Sequence, residues 1–271
     1  MSGRHAGRAA FTNTVSLPYE DGPTAPVDAI ALLEHLADDT GSGTDLPAAV
    51  IVESLQMDGG VYPASADWLR RLRAATATRG ILLICDEIQA GSGRTGDFFG
   101  FEHAGIVPDV VTLSKSLGGA GMPIAMTLLR PDLDVWAPGE HTGTFRGNQL
   151  AFVAGAAVLD LWEDPEFTAN LRHGADRMAA FAAEVAATEP ALSTRGRGMV
   201  VGIDTTHAGG PSRAAAIQRG CFDAGLILET CGRADEVIKI TPPLTITRAD
   251  LDRGLSTLRE AIVATQPPTV P

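Results

Sequence analysis

Four short apolar runs mark the first half of the chain: AAVIVES at 48–54, ILLIC at 81–85, DVVTL at 109–113 and PIAMTLL at 123–129. Each is rich in Val, Ile or Leu, is bounded by polar or glycine residues and is too short for a helix, so each predicts a strand buried on both faces. Between the first two lies PASADWLRRLRAATATRG. There Ser65 is placed to cap a helix that carries Trp68, Leu69 and Leu72 on one face and ends at Gly80. Strand, helix and strand in that order predict one unit of a parallel sheet. Ala-rich stretches from Leu150 to Trp162 and from Phe167 to Thr188 predict two long helices, separated by the break at Asp164-Pro165.

From about residue 190 the pattern changes to short strands such as MVVGIDT and VIKIT alternating with helices, as in a small α+β lobe. Thr247 and Asp250 form a capping-box pattern, and Leu251, Leu255, Leu258 and Ile262 share one face of the last helix. TGSGTD at 40–45 reads as a polar loop and TQPPTVP at 265–271 as a frayed tail. No internal repeat is evident.

Composition narrows the classes. With 271 residues and 45 % hydrophobic content the chain can bury a large core. Its net charge of -12 works against binding the phosphate backbone of nucleic acid and offers no basic stripe to anionic lipid. No apolar run is long enough to span a bilayer, and residues 1–10 lack the apolar core of a signal peptide, so a cytoplasmic location is expected. Cys85, Cys221 and Cys231 are odd in number and widely spaced, which predicts reduced, buried thiols in place of disulfides or a zinc site. The histidines show no metal-ligand spacing, and no metal is expected.

The chain holds nineteen arginines but only two lysines, Lys115 and Lys239. An amine that must lose its proton and attack a carbonyl cannot be replaced by a guanidinium, although a compositional bias would also leave a stray lysine or two. Lys115 lies in SKS just after the third apolar run, and Asp86 ends the second. Consecutive strands of a parallel sheet deliver such residues to one edge, where ligands bind. A carboxylate on a pyridine nitrogen and a lysine one strand over are the pair that pyridoxal phosphate requires. Taken singly, each reads first as a loop-capping acid or an exposed lysine.

Two other readings compete for ILLICDEIQAGSGRTG. Asp86-Glu87 resembles the acidic strand of a P-loop ATPase, but no GxxxxGK[ST] loop occurs. Gly91, Gly93 and Gly96 satisfy GxGxxG, but DFFGFEHAG follows where a dinucleotide site needs an amphipathic helix.

The segment DEIQAGSGRTGDFFGFEHAGIVPDVVTLSKSLGGAGMPIA resembles the cofactor segment of class III (subgroup II) aminotransferases, the family of ornithine and 4-aminobutyrate aminotransferases. EVIKITPPLTIT and WAPGEHTGTFRGNQLAF are similar to the diaminobutyrate:2-oxoglutarate branch of that family, which opens ectoine synthesis. The likeness runs from about residue 16 to 262.

The resemblance implies an α/β protein with the type I fold of pyridoxal-phosphate-dependent transferases. Residues 1–165 would form the C-terminal part of the large cofactor domain, with its mainly parallel sheet, and 166–271 the small α+β domain. It implies that Asp86 pairs with the pyridine nitrogen of pyridoxal 5'-phosphate, Ile88 packs on the ring face, Gln89 reaches the ring hydroxyl and Lys115 holds the cofactor covalently. Thr144 would reach the phosphate of a neighbouring subunit's cofactor, which implies a homodimer; a turn threonine is the plainer alternative. Glu53 and Lys239 would bind substrate, an amino acid or a 2-oxo acid. Lys239 also reads as a strand-edge lysine with a solvated head. Gln56-Met57-Asp58-Gly59-Gly60 departs from the family's QGEGG, and Asp58 is one methylene shorter, which bears on any ion pair with Lys239. The family's N-terminal phosphate loop has no counterpart here. The chain is therefore expected to be N-terminally truncated relative to the family: a late-starting gene model, the C-terminal subunit of a split enzyme whose partner supplies the other half, or a non-catalytic remnant.

Overall fold

The computed structural model describes residues 13–20, 27–119 and 121–265. In chain order the elements are α1 (Ala29–Asp38), β1 (Ala49–Glu53), β2 (Leu55–Gln56), β3 (Tyr62–Pro63), α2 (Ala66–Thr78), β4 (Leu82–Asp86), β5 (Val110–Leu113), β6 (Met126–Leu129), α3 (Gln149–Asp160), α4 (Pro165–Thr188), β7 (Ser193–Gly196), β8 (Val201–Asp204), α5 (Gly210–Asp223), β9 (Glu229–Cys231), β10 (Val237–Ile240) and α6 (Arg248–Ala264). They gather into two compact units. The first is built from Leu17–Ser54 and Ala64–Thr168. The second unites Leu55–Pro63 with residues 13–16 and 169–265. The units are not contiguous in sequence: the β2–β3 hairpin belongs with the C-terminal unit.

The first unit carries a four-stranded sheet in the order β1-β4-β5-β6. β4 runs parallel to both β1 and β5, as the strand–helix–strand pattern predicts. β6 returns antiparallel to β5. Among the described residues of the link between them lies a short 3-10 turn, Lys115–Gly118. Ser65 caps α2 by accepting from the Trp68 N–H, and Gly80 follows the helix at φ +67°, a conformation that costs glycine no Cβ clash. Leu69 and Leu72 of α2 join Ile30 and Leu33 of α1, Val52, Leu83, Cys85, Val111 and Leu113 in one core. That burial makes the sheet a rigid floor for the residues at its edges.

The second unit has an antiparallel sheet in the order β7-β8-β10-β9. α5 packs against β9, β10 and α6. Thr247 caps α6 by accepting from the Asp250 N–H, and Leu251, Leu255, Leu258 and Ile262 are buried along its inner face. The β2–β3 hairpin docks through Arg195 of β7, which donates to the Gly60 carbonyl at 2.8 Å and to Asp204 at 3.0 Å while lying 4.0 Å over the Tyr62 ring. The buried Val61 in its turn adopts φ +59°, a left-handed conformation unfavourable for a β-branched residue.

All three cysteines are free and buried, and burial pushes the Cys85 thiol up to about 12. Among the described residues no helix is long and apolar enough to cross a membrane, and no cluster of His, Cys, Asp and Glu could hold a metal ion. The expectations for residues 1–10 and for the tail beyond 265 lie outside the described residues.

Candidate active site

At the C-terminal edge of the parallel strands, backbone register lines up three polar residues. Glu53 of β1 is the Cα partner of Asp86 of β4, which is in turn the partner of Thr112 of β5. One Asp86 oxygen accepts from the Ile88 N–H at 3.0 Å and from the Thr112 hydroxyl at 3.3 Å. The other has no hydrogen-bond partner among the described residues. The carboxylate is thus oriented through one oxygen and open through the second, the state required of an acceptor that waits for an N–H donor.

Lys115 follows β5 by two residues, at the same edge. Its backbone is left-handed, at φ +47°, and its side chain is exposed. No ion pair or hydrogen bond ties its amine down among the described residues. A non-glycine residue at positive φ costs free energy, and such strain is tolerated where a side chain must be aimed. Two neighbouring strands therefore lead, at one edge of the sheet, to an open carboxylate and to an unpartnered amine.

The segment after β4 is a chain of turns running to Gly100 and leading into a short 3-10 turn, Glu102–Ala104, so Gly91, Gly93 and Gly96 open no helix that could bind a pyrophosphate. Glu87 points the other way from a metal-binding role. It is buried, accepts from the Ser54 hydroxyl at 2.5 Å and from the Gly100 N–H at 2.6 Å, and so pins both ends of the turn segment. A Cβ at Gly100 would come within 2.2 Å of the Ser54 hydroxyl, which explains glycine there. Ile88 and Gln89, half-buried, lie in this pinned segment directly after Asp86. Thr144 sits in the exposed stretch ahead of α3. Glu53 is held through its carbonyl, which accepts from the Tyr19 hydroxyl at 2.8 Å.

Lys239 forms a separate cluster in the second unit. It lies on β10, an interior strand, and is only 6 % exposed, so it is not a strand-edge lysine with a solvated head. Its ammonium meets Asp58 at 2.8 Å and Glu229 at 3.0 Å. Its ion partners among the described residues are these two acids. Asp58 therefore does reach the lysine despite its shorter side chain. Burial pulls the Lys239 amine down, but the hydrogen bonds it donates to the two carboxylates outweigh this and hold the ammonium above the usual lysine value.

Residues 6–262 match the model of the aminotransferase class-III family. The chain belongs to the class-III aminotransferases. Among curated class-III relatives, diaminobutyrate–2-oxoglutarate transaminases from Halalkalibacterium halodurans and Nocardia farcinica are 44 % and 47 % identical to it, over 94 % and 97 % of this chain. The chain spans 59 % and 61 % of those proteins' lengths. Its fold matches the ornithine aminotransferase of Plasmodium yoelii with a TM-score of 0.78 at 27 % identity, covering 89 % of this chain and 62 % of that one. An N-acetylornithine aminotransferase from Stenotrophomonas maltophilia aligns with a TM-score of 0.68 at 35 % identity, covering 80 % and 56 %. Class-III aminotransferases are α/β proteins that depend on pyridoxal phosphate, and an ornithine aminotransferase from Toxoplasma gondii, similar in fold to this chain, holds it at its active site.

Motif reading missed two residues of the site. Thr112 is a polar residue in an otherwise apolar strand, a signal available in the sequence, but only the β4–β5 register shows that it orients Asp86. Glu229 carries no such signal, because its place beside Lys239 depends on the pairing of β9 with β10.

Proposed function

We propose that the chain carries the carboxylate-and-lysine part of a pyridoxal-phosphate transaminase site that exchanges an amino group between 2,4-diaminobutyrate and 2-oxoglutarate. Asp86 with one open oxygen and Lys115 with an unpartnered amine, on neighbouring strand ends of a class-III chain, carry this reading. Both groups fit the cofactor chemically. When bound, pyridoxal phosphate supplies a ring that accepts electrons from the carbon bearing the amine.

The chain's own residues have distinct tasks in this reading. Asp86 accepts a hydrogen bond from the protonated ring nitrogen, and Thr112 keeps it turned to do so. Ile88 packs on the ring face and Gln89 donates to the ring hydroxyl. Lys115 would hold the cofactor covalently and, with its amine free, would move the proton at the reacting carbon. Thr144 serves the phosphate of a neighbouring subunit's cofactor in a homodimer. Glu53 and Lys239 bind substrate, with Lys239 taking a carboxylate. Diaminobutyrate would leave as aspartate semialdehyde, and 2-oxoglutarate would become glutamate. The large-domain and small-domain assignments, 1–165 and 166–271, and a cytoplasmic location belong to the same reading.

A second reading is a non-catalytic chain, or one subunit of a split aminotransferase whose partner supplies the phosphate-binding half. The chain spans about three-fifths of the length of the curated relatives it matches, and one experiment decides between the readings. Absorbance of the purified chain with added pyridoxal phosphate, followed by borohydride and peptide mapping, separates the two. Covalent attachment at Lys115, absent from Lys115→Ala, supports the first. No attachment in folded protein overturns it for the chain alone.

A further inference from the structure

His103 lies in the 3-10 turn Glu102–Ala104, at the end of the turn segment that follows β4, and has a backbone carbonyl at each of its ring nitrogens. Nδ1 is 2.7 Å from the Gly100 carbonyl and Nε2 is 3.1 Å from the Ala64 carbonyl. A carbonyl only accepts, so each contact needs an N–H on the ring. Neutral imidazole carries one N–H and imidazolium carries two. A neutral ring would turn a lone pair toward one of the carbonyls. Ala64 and Gly100 are both buried, where a carbonyl left without a donor is costly.

The two carbonyls belong to a closed circuit. The Ala64 N–H donates to the Ser54 carbonyl at 3.2 Å, the Ser54 hydroxyl donates to Glu87, and the Gly100 N–H donates to the same buried carboxylate. His103 joins Gly100 back to Ala64 and so closes the ring of contacts. The circuit ties the end of β1, the turn segment and the entry to α2 together. The charged groups around the imidazole are mostly acids. Glu87 grips Gly100, Glu102 accepts from the Phe99 N–H beside it, and Glu20 accepts from the N–H of Ser65, next to Ala64. From α2, Arg70 donates to the Ala104 carbonyl and pairs with Asp67. This balance favours a positive ring.

We propose that His103 is a positioning residue: an imidazolium that latches the turn segment to the entry of α2 and lets it loosen once the ring gives up its proton. Ile88 and Gln89 lie in that segment, so the latch would set where they stand against a cofactor; this consequence alone rests on the function proposed above. Two carbonyl acceptors raise the ring's pKa in the folded chain. The latch is therefore complete below the unfolded value of about 6.5 and is lost as pH rises through the folded one.

The test is NMR of the full 271-residue chain with its six histidines labelled in the ring nitrogens, recorded across pH for wild type, His103→Gln and His103→Asn. The His103 signals are those missing from the variants. Gln can keep the bond to Ala64 and Asn the bond to Gly100, each without a charge, so one anchor survives in either. The expected result is a ring protonated on both nitrogens at neutral pH that titrates about one pH unit above 6.5. Protection from hydrogen exchange at the Gly93 and Gly100 amides, corrected for the intrinsic effect of pH, should fall about tenfold as the ring titrates. In both variants it should be independent of pH. A ring protonated on one nitrogen at neutral pH, titrating at or below about 6.5, overturns the proposal. So does a charged ring whose titration leaves the two amides equally protected, or a folded variant in which protection still follows pH. The wild-type profile decides even where a variant does not fold. None of these measurements requires pyridoxal phosphate, so failure of the cofactor reading and failure of the latch are seen separately.

Discussion

Lys115 stands on an exposed, left-handed turn with no partner among the described residues, whereas Lys239 lies inside a sheet with a carboxylate on either side. In a chain that otherwise uses arginine for positive charge, the two lysines occupy opposite electrostatic settings. An amine meant to react gains from freedom and access; an ammonium meant to stay charged gains from counter-ions. The difference comes from the sheets. Parallel strands end together and leave their terminal residues at an open edge, while antiparallel β9 and β10 set side chains face to face in mid-strand.

The strongest way to break this contrast is to strip Lys239 of its counter-ions. Asp58→Asn with Glu229→Gln leaves a buried ammonium unpaired and should cost about 3 kcal/mol in urea unfolding. A loss within error would show that the cluster has no structural weight. Asp109 sharpens the comparison within the first unit, because it is a carboxylate there that is closed where Asp86 is open. It accepts from the Leu83 N–H at 2.8 Å, Arg73 at 2.6 Å and Arg130 at 2.6 Å. Burial would raise its carboxyl, but those donors prevail and hold it below the usual carboxylate value. A depressed folded value means the stabilisation is complete above the unfolded pKa of about 4 and disappears as pH falls through the folded one. Asp109→Asn should therefore cost about 2 kcal/mol at neutral pH and remove part of the loss of stability below pH 4.

A smaller effect tests the strain at Lys115. Lys115→Gly should raise stability by about 1 kcal/mol, because glycine adopts φ +47° without penalty, while abolishing cofactor attachment. A loss of stability would mean that the turn is not strained. The smallest is Thr112→Val, which removes the 3.3 Å hydrogen bond to Asp86. It should cost about 1 kcal/mol or less and weaken pyridoxal phosphate binding a few-fold, as measured by absorbance titration.

Much of this was legible in the sequence where the signals are local. β1, β4 and β5 are continuous apolar runs, α2 is announced by Ser65 and Gly80, and α6 by Thr247 and its leucine stripe. Asp86 and Lys115 could be placed at one edge because parallel strands share a direction. The β2–β3 hairpin was not legible: its strands have two residues each, too few for periodicity, and its turn relies on Val61, which no turn rule favours. β9 has three residues, and its register against β10 is set by packing across the second unit, so Glu229 could not be paired with Lys239 in advance. α1 also escaped notice, though Asp28 caps it by accepting from the Ile30 and Ala31 N–H groups.

The hairpin that carries Asp58 has a consequence for how the protein is made. Asp58 and Lys239 are 181 residues apart, and Gly60 waits 135 residues for Arg195. At ordinary elongation rates the ribosome adds the intervening chain to Lys239 in roughly ten to forty seconds. During that interval the β2–β3 segment is tethered between stretches of the first unit while Arg195, Gly232 and Lys239, which it meets in the second, do not yet exist. The first unit must therefore be able to assemble around an idle loop, and the carboxylate that meets Lys239 is among the last groups in the molecule to find its place.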